Sequence, residues 1–208
     1  MITALLRIAS LVVLATPGLA QDLAVTGGLG LGLTTEADPG ARHRAGGWIE
    51  AGFGGGYVGL SYDAYQDSDL NDSEAYLGYA ATLGLVEVNG GVTRDLMADR
   101  TSLDLSLAWP LGDFSTELAL AHDPKAGSTD QSLTLAYARP VSEALTLTAS
   151  LTLDREDGAF SQDWAIGANR TLGDSSALAG YLAWGSDEDP WLGVDLSWEV
   201  TLLGGGDL

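Results

Sequence analysis

The segment Thr101–Asp123 reads TSLDLSLAWPLGDFSTELALAHD and alternates on both sides of a turn. Leu103, Leu105, Leu107 and Trp109 interleave with Ser102, Asp104, Ser106 and Ala108. After Pro110-Leu111-Gly112-Asp113 the alternation resumes, with Phe114, Leu118 and Leu120 set against Ser115, Glu117 and Ala119. Successive side chains of a strand leave opposite faces, so a period of two on either side of a Pro/Gly/Asp turn predicts a β-hairpin. One of its faces is apolar and the other small and polar. A hairpin of this kind also suits a soluble sandwich, and what separates the two is its repetition along the chain.

The same unit recurs. Ser102-Leu103-x-Leu105-x-x-Ala108-x-Pro110-Leu111 returns thirty residues later as Ser132-Leu133-x-Leu135-x-x-Ala138-x-Pro140-Val141. Tight turns centred on Gly55, Gly84, Gly112, Ser142 and Gly173 follow one another at intervals of 29, 28, 30 and 31 residues, and Gly204 falls 31 beyond the last. The connections between them are of another kind, longer and rich in Asp, Glu, Pro and Asn. A two-strand unit with a period near thirty therefore predicts twelve strands between Asp22 and Val200, short turns at one end and polar loops at the other. In this reading Glu36–Arg44 is the first loop, Ala45–Phe53 the second strand, Pro140–Glu143 a turn and Arg155–Ala159 a loop.

The first twenty residues, MITALLRIASLVVLATPGLA, carry one cation, an apolar run from Ile8 to Ala15, and small residues before Gln21. They predict a cleaved signal peptide over 1–20 and a mature domain over 21–208. No apolar run reaches the roughly 20 residues of a spanning helix. There is no cysteine to staple an exported fold. Without Arg7, 8 basic residues stand against 29 acidic ones, a formal charge of −21, which argues against nucleic acid as a partner. The 46% hydrophobic content and the regular alternation argue against a disordered acidic chain.

An export signal, an even number of strands long enough to cross hydrocarbon, and alternating turn types predict an all-β transmembrane antiparallel up-and-down β-barrel of about 12 strands. In lipid every backbone group must bond within the protein, so a spanning sheet has to close. Soluble barrels fill their interior with large apolar side chains. Here the apolar face is continuous, and the opposite face reads as Gly, Ala, Ser, Thr and acids. Phe53, Trp109, Phe114, Tyr137, Trp164, Trp184 and Trp198 fall near strand ends on the outward parity, as aromatic girdles at two interfaces do.

Parity assigns Glu50, Asp63, Glu74, Glu87, Asp104, Glu117, Asp163, Asp195 and Glu199 to the inner face, and no Lys or Arg to the inner face of a strand interior. Twelve tilted strands about 4.8 Å apart give a backbone radius of roughly 12 Å. With small inward residues, that size predicts a narrow water-filled pore whose carboxylates favour cations over anions. No cofactor or metal site is expected.

Other constellations are weaker. His43 and His122 lie near the outer rim, and His122-Asp123 invites comparison with barrel hydrolases, but His122 has the outward parity and no nucleophile elbow is visible. Asp67–Glu74 spaces oxygens like the start of a calcium loop, yet Asp72 stands where such a loop needs Gly. The alternatives to a pore are thus a hydrolase acting at the rim and a structural barrel with a closed lumen.

Trp48–Val92, with Gly56-Tyr57-Val58-Gly59-Leu60 and Tyr76-Leu77-Gly78-Tyr79, resembles the glycine-aromatic hairpins of small Gram-negative porins, the TorF-type group among them. The resemblance is one of style across the mature chain. It implies an outer-membrane pore, with outer-membrane lipid, small solutes or cations and the barrel-assembly machinery as partners, and it transfers no functional residue. The chain departs from that pattern in ending on Leu202-Leu203-Gly204-Gly205-Gly206-Asp207-Leu208 rather than on an aromatic.

Overall fold

The computed structural model describes residues 24–35, 39–156, 158–186 and 189–203. The expected signal peptide lies outside them. Twelve strands follow in chain order: β1 (Ala24–Thr34), β2 (His43–Phe53), β3 (Gly56–Tyr65), β4 (Asp72–Leu83), β5 (Val86–Asp95) and β6 (Arg100–Leu111). The second half comprises β7 (Phe114–Asp123), β8 (Ser128–Ser142), β9 (Leu145–Glu156), β10 (Ala159–Thr171), β11 (Ser176–Gly185) and β12 (Trp191–Leu203). Each strand pairs antiparallel with its chain neighbours, and β12 returns to β1 through pairs such as Leu29↔Trp198 and Leu31↔Leu196. The sheet is a closed barrel with no free edge, so ladder hydrogen bonds run around its whole circumference.

The burial pattern is that of a protein turned inside out. Among the described residues only Ala41, Ala119, Ala183 and Trp191 form the buried apolar set, and no large side chain is fully buried. Leu29, Leu31, Leu33, Leu60, Leu77, Leu103, Leu105 and Ile166 are instead exposed on the outer surface. In water such a surface would be a large unburied apolar area. Against hydrocarbon it needs no cover. The outward aromatics form two bands. Phe114 and Tyr137 are cross-strand partners with ring centres 5.3 Å apart at the turn end. Trp164 and Trp184 are partners at the loop end, stacked at 6.2 Å and 5°.

The turns are tight because their residues permit it. Gly54 and Gly55 connect β2 to β3 with φ of 56° and 86°, a region costly for any residue with a Cβ. The β6–β7 turn contracts to Gly112-Asp113, so Pro110 and Leu111 belong to β6. Pro110 lies beyond the last β5–β6 pair, Glu87↔Ala108, where its missing N–H breaks no bond to β5. Pro140 likewise lies within β8 rather than in a turn, and the β8–β9 register shifts between Pro140 and Ser142, the bulge at which a strand proline is tolerated.

Several boundaries differ from the sequence reading, and two show the cause. Strand β2 begins at His43, because Leu33 and Gly32 at the end of β1 pair with His43 and Arg44 and carry the alternation two residues further. The expected loop Arg155–Ala159 shrinks to residues 157–158, since Phe160↔Arg155 and Ala159↔Glu156 extend the β9–β10 ladder to its limit. The loop end is therefore uneven, with eight residues between β1 and β2 but two between β9 and β10.

Candidate functional site

Following the registers around the barrel places Glu50, Asp63, Glu74, Glu87, Asp104, Glu117, Asp163, Asp195 and Glu199 on the face opposite the exposed leucines. Asp63, Glu74, Asp104, Asp163 and Asp195 occupy the loop half of the interior, and Glu50, Glu87, Glu117 and Glu199 the turn half. Asp104 is held by its neighbour on the same face, Ser102, whose hydroxyl donates at 2.9 Å. Six further carboxylates share this face: Asp72, Asp95, Asp123, Asp130, Asp154 and Glu156. All lie towards the loop ends of their strands; Asp72, Asp130 and Glu156 fall in sequence that reads as loop, whereas Asp95, Asp123 and Asp154 follow from parity within the strands as read.

Two cations lie on the inner face at strand ends that read as loop in the sequence. Arg44 is an interior residue of β2, between Asp63 and Asp195, with nitrogen–oxygen distances of 3.9 and 3.8 Å. At that length these are charge contacts rather than hydrogen bonds. Glycines make the room. A Cβ on Gly46 would collide with the Asp63 carboxylate, and one on Gly32 with that of Asp195. Arg100 is interior at the start of β6, where Nε meets Asp123 at 3.1 Å and an amino nitrogen meets Asp130 at 3.1 Å. Asp123 also accepts the backbone N–H groups of Lys125 at 2.7 Å and Ala126 at 2.9 Å, which builds the β7–β8 loop. Each guanidinium thus lies between two carboxylates, and each cluster stays net negative. Both arginines were missed because Arg42-His43-Arg44 and Asp99-Arg100 look like polar loop.

The interior is also less uniformly small than expected. Trp48, Tyr57, Tyr65, Tyr76, Tyr181 and Trp191 have the inward parity. Four of these rings lie over glycines of the next strand: a Cβ at Gly59 would meet the Tyr76 ring, at Gly78 that of Tyr57, at Gly193 that of Tyr181, and at Gly28 the Trp48 indole. Elsewhere Gly30 and Gly52 leave patches of bare backbone on the inside of β1 and β2.

His122 and Asp123 leave opposite faces of β7. The imidazole Nδ1 lies 2.9 Å from the Thr129 hydroxyl on the outside, while Asp123 holds Arg100 within. They are not assembled as a catalytic pair. His43 is exposed on the outer face. In the Asp67–Glu74 segment, Asp67 Oδ1 accepts from Asp69 N–H at 3.0 Å and Asn71 Oδ1 from Tyr65 N–H at 2.9 Å. Those oxygens shape a turn, and Asp72 and Glu74 already belong to β4. Arg94 projects outward at the loop end, where it bonds the Thr101 hydroxyl at 2.8 Å and pairs with Asp99.

No protein-family model matches the sequence, and no curated protein matches it. Among solved structures it is similar to the KdgM porin, with a TM-score of 0.62 at 11% identity over 83% of this chain and 98% of that one. The KdgM porin in complex with disordered oligogalacturonate gives 0.59 at 12% identity over 83% and 98%. The NanC porin gives 0.58 at 11% identity over 85% of this chain and 100% of that one. With almost the whole length of each neighbour covered and a twelve-stranded closed barrel in hand, the chain has the fold of the small outer-membrane porins.

Proposed function

We propose that this protein is an integral outer-membrane pore for passive diffusion of small hydrophilic solutes, with a preference for cations. The observation that carries the reading is the contrast between the two faces. The outer face is leucine, valine and aromatic, suited to outer-membrane lipid, while the inner face holds carboxylates in excess and glycine-lined backbone. Placing such a barrel in the outer membrane requires an export signal, for which residues 1–20 are suited, and insertion by the barrel-assembly machinery. Twelve strands at a radius of roughly 12 Å leave an aqueous bore even after side chains project inward.

Selectivity follows from charge. Arg44 and Arg100 are each outnumbered two to one by the carboxylates they touch. The remaining inner acids project a negative potential along a low-dielectric wall, which concentrates cations and raises the barrier to anions. The oligogalacturonate held by the KdgM neighbour is a polyanion, and this wall would repel one. A rim hydrolase is disfavoured by the separation of His122 from Asp123. Liposome swelling tests the reading: vesicles carrying the refolded protein should swell in small neutral solutes and faster in small amines than in small organic acids. Vesicles that stay shut to all three would favour a structural barrel.

A further inference from the structure

On the inner wall of β3 and β4 two tyrosine rings are anchored at their edges through their hydroxyls. Tyr57 and Tyr76 lean towards each other's strands, with ring centres 6.1 Å apart and planes at 57°. The Tyr57 hydroxyl donates to Asn89 Oδ1 at 2.6 Å, and the Tyr76 hydroxyl hydrogen-bonds the Glu50 carboxylate. Trp48, two residues before Glu50 on the same face, leans the other way over Gly28 of β1 and stands beside this patch as a fluorescent reporter. The rings are therefore fixed, half open to the interior, and bounded by charge: Glu50 at one edge, and Asp104 beyond Gly91 at the other. Arg44 stands apart at the loop end, occupied by Asp63 and Asp195.

Ring faces attract cations through their quadrupole, and more so cations that shed water readily. Potassium and sodium are strongly hydrated and gain little from such a wall, whereas an alkylammonium head presents weakly hydrated positive surface to rings and carboxylate together. From this arrangement we infer that Tyr57, Tyr76 and Glu50 form an interior subsite for organic cations of the alkylammonium class. The inference rests on the pore reading for solute access and adds to it the class of solute favoured.

Choline is the probe. Refolded protein in detergent micelles is titrated with choline chloride, and with potassium chloride as control, by intrinsic tryptophan fluorescence; in parallel, choline is added to potassium-carrying channels in a planar bilayer. Choline should saturate at concentrations where potassium has no effect, and should reduce the potassium current over the same range. Tyr57→Leu with Tyr76→Leu should weaken choline binding about tenfold, the loss of two cation–π contacts at partly exposed sites. Tyr57→Phe with Tyr76→Phe, which keeps both rings, should stay within about threefold. Should the leucine pair fail to fold, Glu50→Gln decides, with binding expected to weaken several-fold. Choline binding without any potassium current would uphold the subsite and overturn the pore. A potassium current indifferent to choline, or choline binding unchanged in the leucine pair or in Glu50→Gln, would overturn the subsite and leave the pore standing.

Discussion

Gly91 and Gly30 are both strand glycines facing the barrel interior, yet they answer differently to one added methyl group. A Cβ on Gly91 would lie 2.7 Å from the Leu77 carbonyl oxygen of β4, where ordinary contact begins near 3.4 Å. The obstacle is backbone held in the β4–β5 ladder by Leu77↔Val92 and Gly78↔Gly91, so it cannot swing aside as a side-chain tip could. Gaining the missing ~0.7 Å means opening the ladder, and overpacking of that kind costs about 1–3 kcal/mol. A Cβ on Gly30 finds nothing nearer than the Leu196 carbonyl oxygen at 4.0 Å. With φ in the ordinary range there, alanine only restricts the unfolded chain, a gain of about 0.4–1 kcal/mol. Gly91→Ala should therefore unfold at lower urea than wild type and Gly30→Ala at equal or higher urea, followed by tryptophan fluorescence of protein refolded in detergent micelles. Both variants change β-propensity equally, which isolates the steric effect. A Gly91→Ala midpoint at or above that of Gly30→Ala would refute the reasoning from backbone approach.

Three other substitutions probe the two faces and the charge clusters. Leu105→Arg puts a charge on the outer face near the middle of β6 and should cost about 2–4 kcal/mol in lipid, whereas Ser106→Arg, one residue along and inside, should refold into vesicles like wild type; equal refolding yields would contradict the assignment of faces. Asp123→Ala removes two backbone bonds and an ion pair, while Arg100→Ala removes only its ion pairs and leaves Asp123 bonded to Lys125 and Ala126, so Asp123→Ala should lower the urea midpoint further, and the reverse order would be wrong for this loop. Arg44→Gln removes an inner positive charge from between Asp63 and Asp195 and should raise the ratio of cation to anion permeability in bilayer recordings; a fall would mean that Arg44 does more than neutralise its partners.

The hairpin Thr101–Asp123 shows what one sequence carries and what it hides. Its alternation specifies the two faces of β6 and β7, because a side-chain period of two leaves no other choice once one face must meet lipid. The thirty-residue turn spacing then supplies strand number and closure. What alternation cannot fix is where a strand stops. Pro110 reads as turn but lies in β6, tolerated because no β5 partner reaches it. Arg44 and Arg100 read as loop but lie on the inner face, because tilted strands of a closed barrel keep pairing past the last apolar residue. Strand parity therefore reaches nine of the inner acids, while Asp72, Asp130 and the two inner arginines lie in stretches that read as loop. The ring-over-glycine arrangement was half visible: Trp48 has the inward parity in sequence, but that Tyr76 covers Gly59 depends on cross-strand register, which spacing within one strand does not contain.

The central claim is that the carboxylate-rich inner wall lines an open path. Reversal potential across a planar bilayer carrying the refolded protein, in a tenfold potassium chloride gradient, tests it most directly. The account predicts a current that reverses well towards the cation limit, roughly 59 mV for a monovalent ion. The preference should be greatest near 0.1 M, where the screening length of about 10 Å matches the bore, and should fade towards 1 M, where it is about 3 Å. A sealed membrane, or a reversal potential at zero or on the anion side in dilute salt, would contradict it.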